Sequence, residues 1–138
     1  MSFDLLMEVL NRGGSVRERD YLVADLDGWT IVHVLAATTV FPVDFKYWGI
    51  KDVLGYSVAH QAAEHKKLPE GFTQWMIVDN QGDSVAHVAA RKGVFPLKYQ
   101  NENNAFYKYT NKEGVSVKEE VKKYNLSQLA KLKIMLKG

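Results

Sequence analysis

A mainly α-helical array of stacked helix-turn-helix repeats with terminal caps is the fold class the sequence predicts, and a strict period of 27 residues carries that prediction. Gly28, Gly55 and Gly82 keep this spacing, and so do His33, His60 and His87. The same register holds Asp25, Asp52 and Asp79, then Thr30, Ser57 and Ser84, then Ala36, Ala63 and Ala90, then Pro42, Pro69 and Pro96. Self-similarity at such a period marks units that have no interior of their own and bury their apolar face only against a neighbour.

The elements follow in chain order. Phe3 to Leu10 reads as an amphipathic helix stopped by Gly13-Gly14, and with Tyr21 it forms an N-terminal cap over 1–24. Three repeats occupy 25–51, 52–78 and 79–105. Each opens with an Asp-x-x-Gly turn followed by Thr or Ser, whose hydroxyl accepts a backbone N–H two or three residues on and starts a short helix. A pair of alanines lets the next helix approach closely, and in the third repeat Gly93 supplies a left-handed stop. The prolines then open a second, aromatic element, expected to be helical with Phe45 and Trp48, or Phe72 and Trp75, on one face. Tyr21, Trp48 and Trp75 stay in phase, as do Phe45, Phe72 and Tyr99, which makes them packing residues.

A polar insertion, Gln100-Asn101-Glu102-Asn103-Asn104, lengthens the next glycine spacing, Gly82 to Gly114, to 32. The turn pattern resumes at Asn111-Lys112-Glu113-Gly114-Val115-Ser116-Val117, so 106–138 reads as a divergent C-terminal repeat and cap. Asn125 stands where Gly93 stands in the preceding copy and is expected to take the left-handed conformation. Val117, Val121 and Tyr124 then share one helical face and Leu129, Leu132 and Leu136 another, predicting a helix pair.

The 138 residues are 46% hydrophobic and 25% charged, the composition of one folded domain. A net charge of +2 gives no polyelectrolyte bias. Zero cysteines exclude a disulfide scaffold, a thiol nucleophile and a thiolate metal site. The start has no basic leader and no apolar run approaches the roughly 18 residues of a membrane span, so the expectation is a cytoplasmic protein with no membrane partner.

The run Gly82-Asp83-Ser84-Val85-Ala86-His87-Val88-Ala89-Ala90-Arg91-Lys92-Gly93 resembles the Gly-x-Thr-Pro-Leu-His-x-Ala-Ala-x-x-Gly signature of ankyrin repeats. The resemblance covers roughly residues 20 to 136. It departs from the family in its shorter period and in Val or Ile standing before the Ala/Val-His pair where the family has Pro. Such short units are similar to those of uncharacterised bacterial and phage ankyrin-like proteins. The resemblance implies a solenoid with short hairpin-like turns, a second helix cut to a turn or two, and histidines bonded to backbone near the turns. It also implies a protein that grips another macromolecule through its turn tips and the exposed side of its first helices. Carried over, that concave face comprises Leu26, Asp27, Trp29, Ala37 and Thr38, then Val53, Leu54, Tyr56, Glu64 and His65, then Asn80, Gln81, Asp83, Arg91 and Lys92.

Three recurring histidines invite a metal or catalytic reading. Positions one repeat apart lie roughly 10 Å from one another, a spacing set by helix packing, and do not converge on an ion at about 2 Å. Asp25, Asp52 and Asp79 are turn residues for the same reason of phase. The chain has no phosphate loop, His-Glu-x-x-His helix or nucleophile elbow, so neither an enzyme nor a cofactor is expected. Trp29 and Tyr56 are expected to form a joint aromatic anchor, since such residues dominate binding hot spots. The leading expectation is an adaptor or inhibitor of one target protein. The alternative comes from charge: residues 98–138 hold nine Lys and four acids, whereas residues 1–97 hold nine basic and twelve acidic residues. Lys118, Lys122, Lys123, Lys131 and Lys133 would then contact nucleic acid or a nucleic-acid enzyme.

Overall fold

In a computed structural model that describes residues 1–137, the chain is mainly helical, and among the described residues β-structure is confined to isolated bridges. The helices are α1 (Phe3–Asn11), α2 (Ile31–Ala36), α3 (Val58–Glu64), α4 (Val85–Arg91), α5 (Ala105–Lys108) and α6 (Val117–Lys137). Short 3-10 turns lie at Glu18–Asp20 and Leu97–Tyr99. Helix α1 packs on α2, α2 on α3, α3 on α4 and α4 on α6.

One side chain builds each turn that precedes a helix. The Asp52 carboxylate accepts the N–H groups of Leu54 and Tyr56, both at 2.9 Å. Asp25 and Asp79 do the same for Asp27 and Trp29, and for Gln81 and Asp83. Asn111 repeats the arrangement with Glu113 and Val115. A bridge closes each turn: Ala24 with Thr30, Lys51 with Ser57, Val78 with Ser84, Thr110 with Ser116. At Gly55, φ is +76° and a Cβ would lie 2.8 Å from the Asn80 nitrogen, so both the left-handed backbone and the approach of the next turn require glycine.

Helix α3 shows how the first N–H groups of each helix are satisfied. Those of Val58 and Ala59 donate to the carbonyls of Ile50 and Trp48 (3.0 and 3.1 Å), and that of His60 donates to Ser57 Oγ (3.0 Å). Helices α2 and α4 repeat the pattern through Val23, Tyr21 and Thr30, and through Ile77, Trp75 and Ser84. Ala36, Ala59, Ala62, Ala63, Ala86 and Ala89 are fully buried where the helices meet, and Trp48, Phe72, Trp75 and Phe95 complete the core. Edge-to-face contacts join Trp48 to Phe72 and Trp75 to Phe95, with ring centroids 5.2 and 5.4 Å apart.

The structure corrects two expectations. The segments opened by Pro42 and Pro69 are turns, and the one opened by Pro96 holds only the 3-10 turn. Each proline carbonyl accepts the N–H three residues on, from Phe45, Phe72 and Tyr99. The carbonyls of Trp48, Ile50, Trp75 and Ile77 accept the first N–H groups of the next helix, so no helix continues past them. Asn125 does not end a helix: α6 runs through it to Lys137, and the helix pair is one helix. Among the described residues the one non-glycine with positive φ is Lys66 (+59°), in the second-repeat position that corresponds to Gly93.

The repeated histidines join unit to unit. The Ser57 N–H donates to His60 Nδ1 (3.1 Å), so Nδ1 is bare and Nε2 carries the hydrogen, which it donates to the Asp83 carbonyl at 2.9 Å. His33 is held in the same way by Thr30 and donates to the Tyr56 carbonyl (2.9 Å), and His87 by Ser84, donating to the Val115 carbonyl (2.8 Å). All three are fully buried. Burial, opposed by these backbone bonds, lowers the pKa of His33 and His60 below the ordinary 6.5.

Replacing His60 with Ala strands the Asp83 carbonyl and costs about 1–3 kcal/mol in chemical denaturation at pH 7. The unfolded chain also binds protons at His33 and His60 before the folded chain does. Their contribution is therefore full above about pH 6.5, declines below it by up to about 1.4 kcal/mol per pH unit per group, and is gone below their folded pKa values. Stability measured from pH 7 to 5 falls in the wild type and falls less steeply in the His60→Ala variant. Equal slopes would remove the neutral imidazole from the account.

Candidate binding surface

Four turn tips form a row. The Val53 N–H donates to the Asp27 carbonyl (2.9 Å), that of Asn80 to Leu54 (3.0 Å) and that of Lys112 to Gln81 (3.0 Å). The Asn80 side chain adds a bond to the Val53 carbonyl at 3.1 Å. Apart from the Asn80 amide these bonds occupy backbone only, and the side chains of Leu26, Asp27, Val53, Leu54 and Gln81 are exposed. Leu26 is 103% exposed, Leu54 67% and Val53 60%, which sets three large apolar side chains in water on two adjacent, backbone-tied tips. Lys112 and Glu113 carry the row onto the fourth turn and were absent from the expected face, although the Asn111 turn pattern marks them.

Behind the tips stands a second row: Trp29, Tyr56, Asp83 and Val115. Trp29 stacks on His33 (centroids 4.4 Å apart, planes at 28°) and on Tyr56 (6.1 Å, 18°). Tyr56 lies 5.1 Å from the His60 ring and donates its hydroxyl to the His60 carbonyl at 3.2 Å. Burial pushes the Tyr56 phenol well above its ordinary range. Both aromatics are half-buried covers over the imidazoles as well as a surface, a double role their sequence positions do not disclose.

Asp83 and Arg91 come together. Arg91 Nη2 lies 2.8 Å from the Asp83 carboxylate, while its Nε pairs with the buried Glu120. Burial works to raise the Asp83 pKa, but hydrogen bonds from Asn111 (2.8 Å) and Arg91 outweigh it and hold the carboxyl below 3.8. This pair is thus committed to joining α4, the fourth turn and α6. Lys92 pairs with Glu64 across neighbouring helices at 3.1 Å. Thr38 and His65 are exposed just beyond the ends of α2 and α3, and Ala37 is half-buried.

The lysines divide in two. Lys118 pairs with Glu102, whereas Lys122, Lys123, Lys131 and Lys133 are exposed. Tyr124 of α6 still packs against Gly93; past it the helix is exposed, with Leu126, Leu129, Leu132, Ile134, Met135 and Leu136 in water. Among the described residues no helix is long and apolar enough to cross a membrane, and no group of three His, Asp or Glu is placed to hold a metal ion. No protein-family model matches the chain, and no curated protein matches it.

Truncating Trp29 and Tyr56 together to Ala uncovers His33 and His60 and removes a stacked pair, at a cost of about 1–3 kcal/mol in thermal or urea denaturation. An unchanged melting temperature would show that the rings serve the surface alone.

Proposed function

We propose that the chain is an ankyrin-like helical solenoid with no catalytic role, an adaptor or inhibitor that grips one target protein through its row of turn tips. The observation that carries this reading is the exposure of Leu26, Val53 and Leu54 on tips tied to one another by backbone hydrogen bonds. A rigid surface loses little conformational entropy on binding, and contiguous exposed apolar side chains mark contact sites. Trp29 and Tyr56 flank the tips, and Asp27, Asn80 and Gln81 supply a polar rim.

The test is a nuclease-treated pull-down from the source cell with wild type and with a Leu26→Ser, Val53→Ser, Leu54→Ser variant. The variant keeps the wild-type stability within about 0.5 kcal/mol per substitution, because those side chains are exposed. It loses a stoichiometric protein partner that the wild type retains. Retention by the variant, or loss of the partner on nuclease treatment, would overturn the reading.

A second reading, nucleic-acid binding through α6, is favoured by one observation: five lysines and no acid lie between residues 122 and 137, on a largely exposed stretch. Under it, changing Lys122, Lys123, Lys131 and Lys133 to Gln abolishes DNA or RNA affinity and its steep salt dependence. Under the leading reading the same variant keeps its protein partner. Binding curves at two salt concentrations separate the two.

A further inference from the structure

The second and first repeats differ at one buried hydrogen bond. Trp48 donates its indole N–H to the Val43 carbonyl at 3.2 Å. The corresponding carbonyl in the next repeat belongs to Glu70, yet Trp75 Nε1 is buried and has no partner among the described residues. The turns diverge where Gly71 takes a φ of +84° in the position of Asp44. Trp75 is 3% exposed, and a buried donor without an acceptor is rare enough to call for an absent partner.

A cleft of about 640 Å³ lies against the same ring, between segments 66–75 and 94–99. Its volume is in the range of small-molecule sites. Phe72, Trp75 and Tyr99 wall it with Leu68 and Leu97, and the last is 82% exposed. Two ammonium groups, Lys66 and Lys98, stand on its lining against one carboxylate, Glu70. Lys98 Nζ sits 5.1 Å from the Tyr99 ring centroid.

We propose that this cleft binds a small apolar carboxylate. The apolar body lies on the three rings, and the carboxylate accepts the Trp75 N–H and faces Lys66 and Lys98. Nε1 lies beneath the surface, so the acceptor reaches it as the exposed Glu70-Gly71 turn shifts outward. The site is on segments separate from the turn tips, and the proposal stands independently of the protein-binding reading.

The experiment is a titration of the full ¹⁵N-labelled chain at pH 7 with 4-phenylbutyrate, read at the three indole N–H resonances. A neutral analogue, 4-phenylbutan-1-ol, is the control. The Trp75 resonance shifts saturably with the carboxylate at millimolar concentration and does not shift with the alcohol, while those of Trp29 and Trp48 stay in place. A Lys66→Gln, Lys98→Gln variant, altered only at exposed side chains, binds about fivefold more weakly or worse. A stationary Trp75 resonance, an equal response to the alcohol, or an unaffected double variant overturns the proposal.

Discussion

A single buried imidazole in each of the three repeats joins what would otherwise be separate pieces of local structure. Its Nδ1 takes the N–H of the capping Thr or Ser, so it belongs to the start of its own helix. Its Nε2 hydrogen goes to a carbonyl in the next turn, so it also belongs to the following unit. Protonation would put an N–H at Nδ1 against the N–H it now accepts. One tautomer therefore satisfies both ends. Hydrophobic contact between alanine faces is tolerant of small slides along the helix; a hydrogen bond to one named carbonyl is not. The register of the array follows from that bond.

The insertion near residue 100 shows what this constraint permits. Between His33 and Tyr56, and between His60 and Asp83, the separation is 23 residues; between His87 and Val115 it is 28. The glycine spacing grows by the same five, from 27 to 32. Extra chain is thus tolerated between the bonded ends as long as the ends still meet. Asn101 and Asn104 absorb it locally: Asn104 caps α5, and Asn101 bonds the N–H of Asn103 and the carbonyl of Lys98. In the fourth unit Glu119 holds the histidine position, and Ser116 caps α6 and bonds the Glu119 carboxylate in place. That side chain reaches no other turn.

The features legible in the sequence were those written by one residue type under one demand. Asp before Gly builds the turn, Thr or Ser caps the helix, small Ala admits a neighbour, and each repeats at 27. The aromatic segments misled because a three-residue spacing of Phe45 and Trp48 fits a helix face equally well as a turn folded onto a core. What the spacing could not show is that the carbonyls of Trp48 and Ile50 are taken by the first N–H groups of the next helix. Asn125 misled because its tolerance of left-handed backbone is a permission, not a preference, and the strong helix formers after it carry α6 onward. The exposure of α6 beyond Tyr124 was equally hidden, since Leu129, Leu132 and Leu136 share a helical face that reads as the second member of a helix pair.

The two surface rows differ in how tightly they are bound to the fold. At the tips, only backbone groups take part in the links between units, apart from the Asn80 amide. Residues 26, 27, 53, 54, 81, 112 and 113 therefore carry side chains that the fold makes no demand on, and their chemistry is free to follow a partner. One position behind, the side chains of Trp29, Tyr56 and Asp83 cover imidazoles or anchor Arg91, so a change there alters the body as well as the surface. Surface chemistry and structural role are separable in the first row and merged in the second. It follows that substitution at the tips leaves the histidine links untouched, so under the protein-binding proposal affinity would be tuned there.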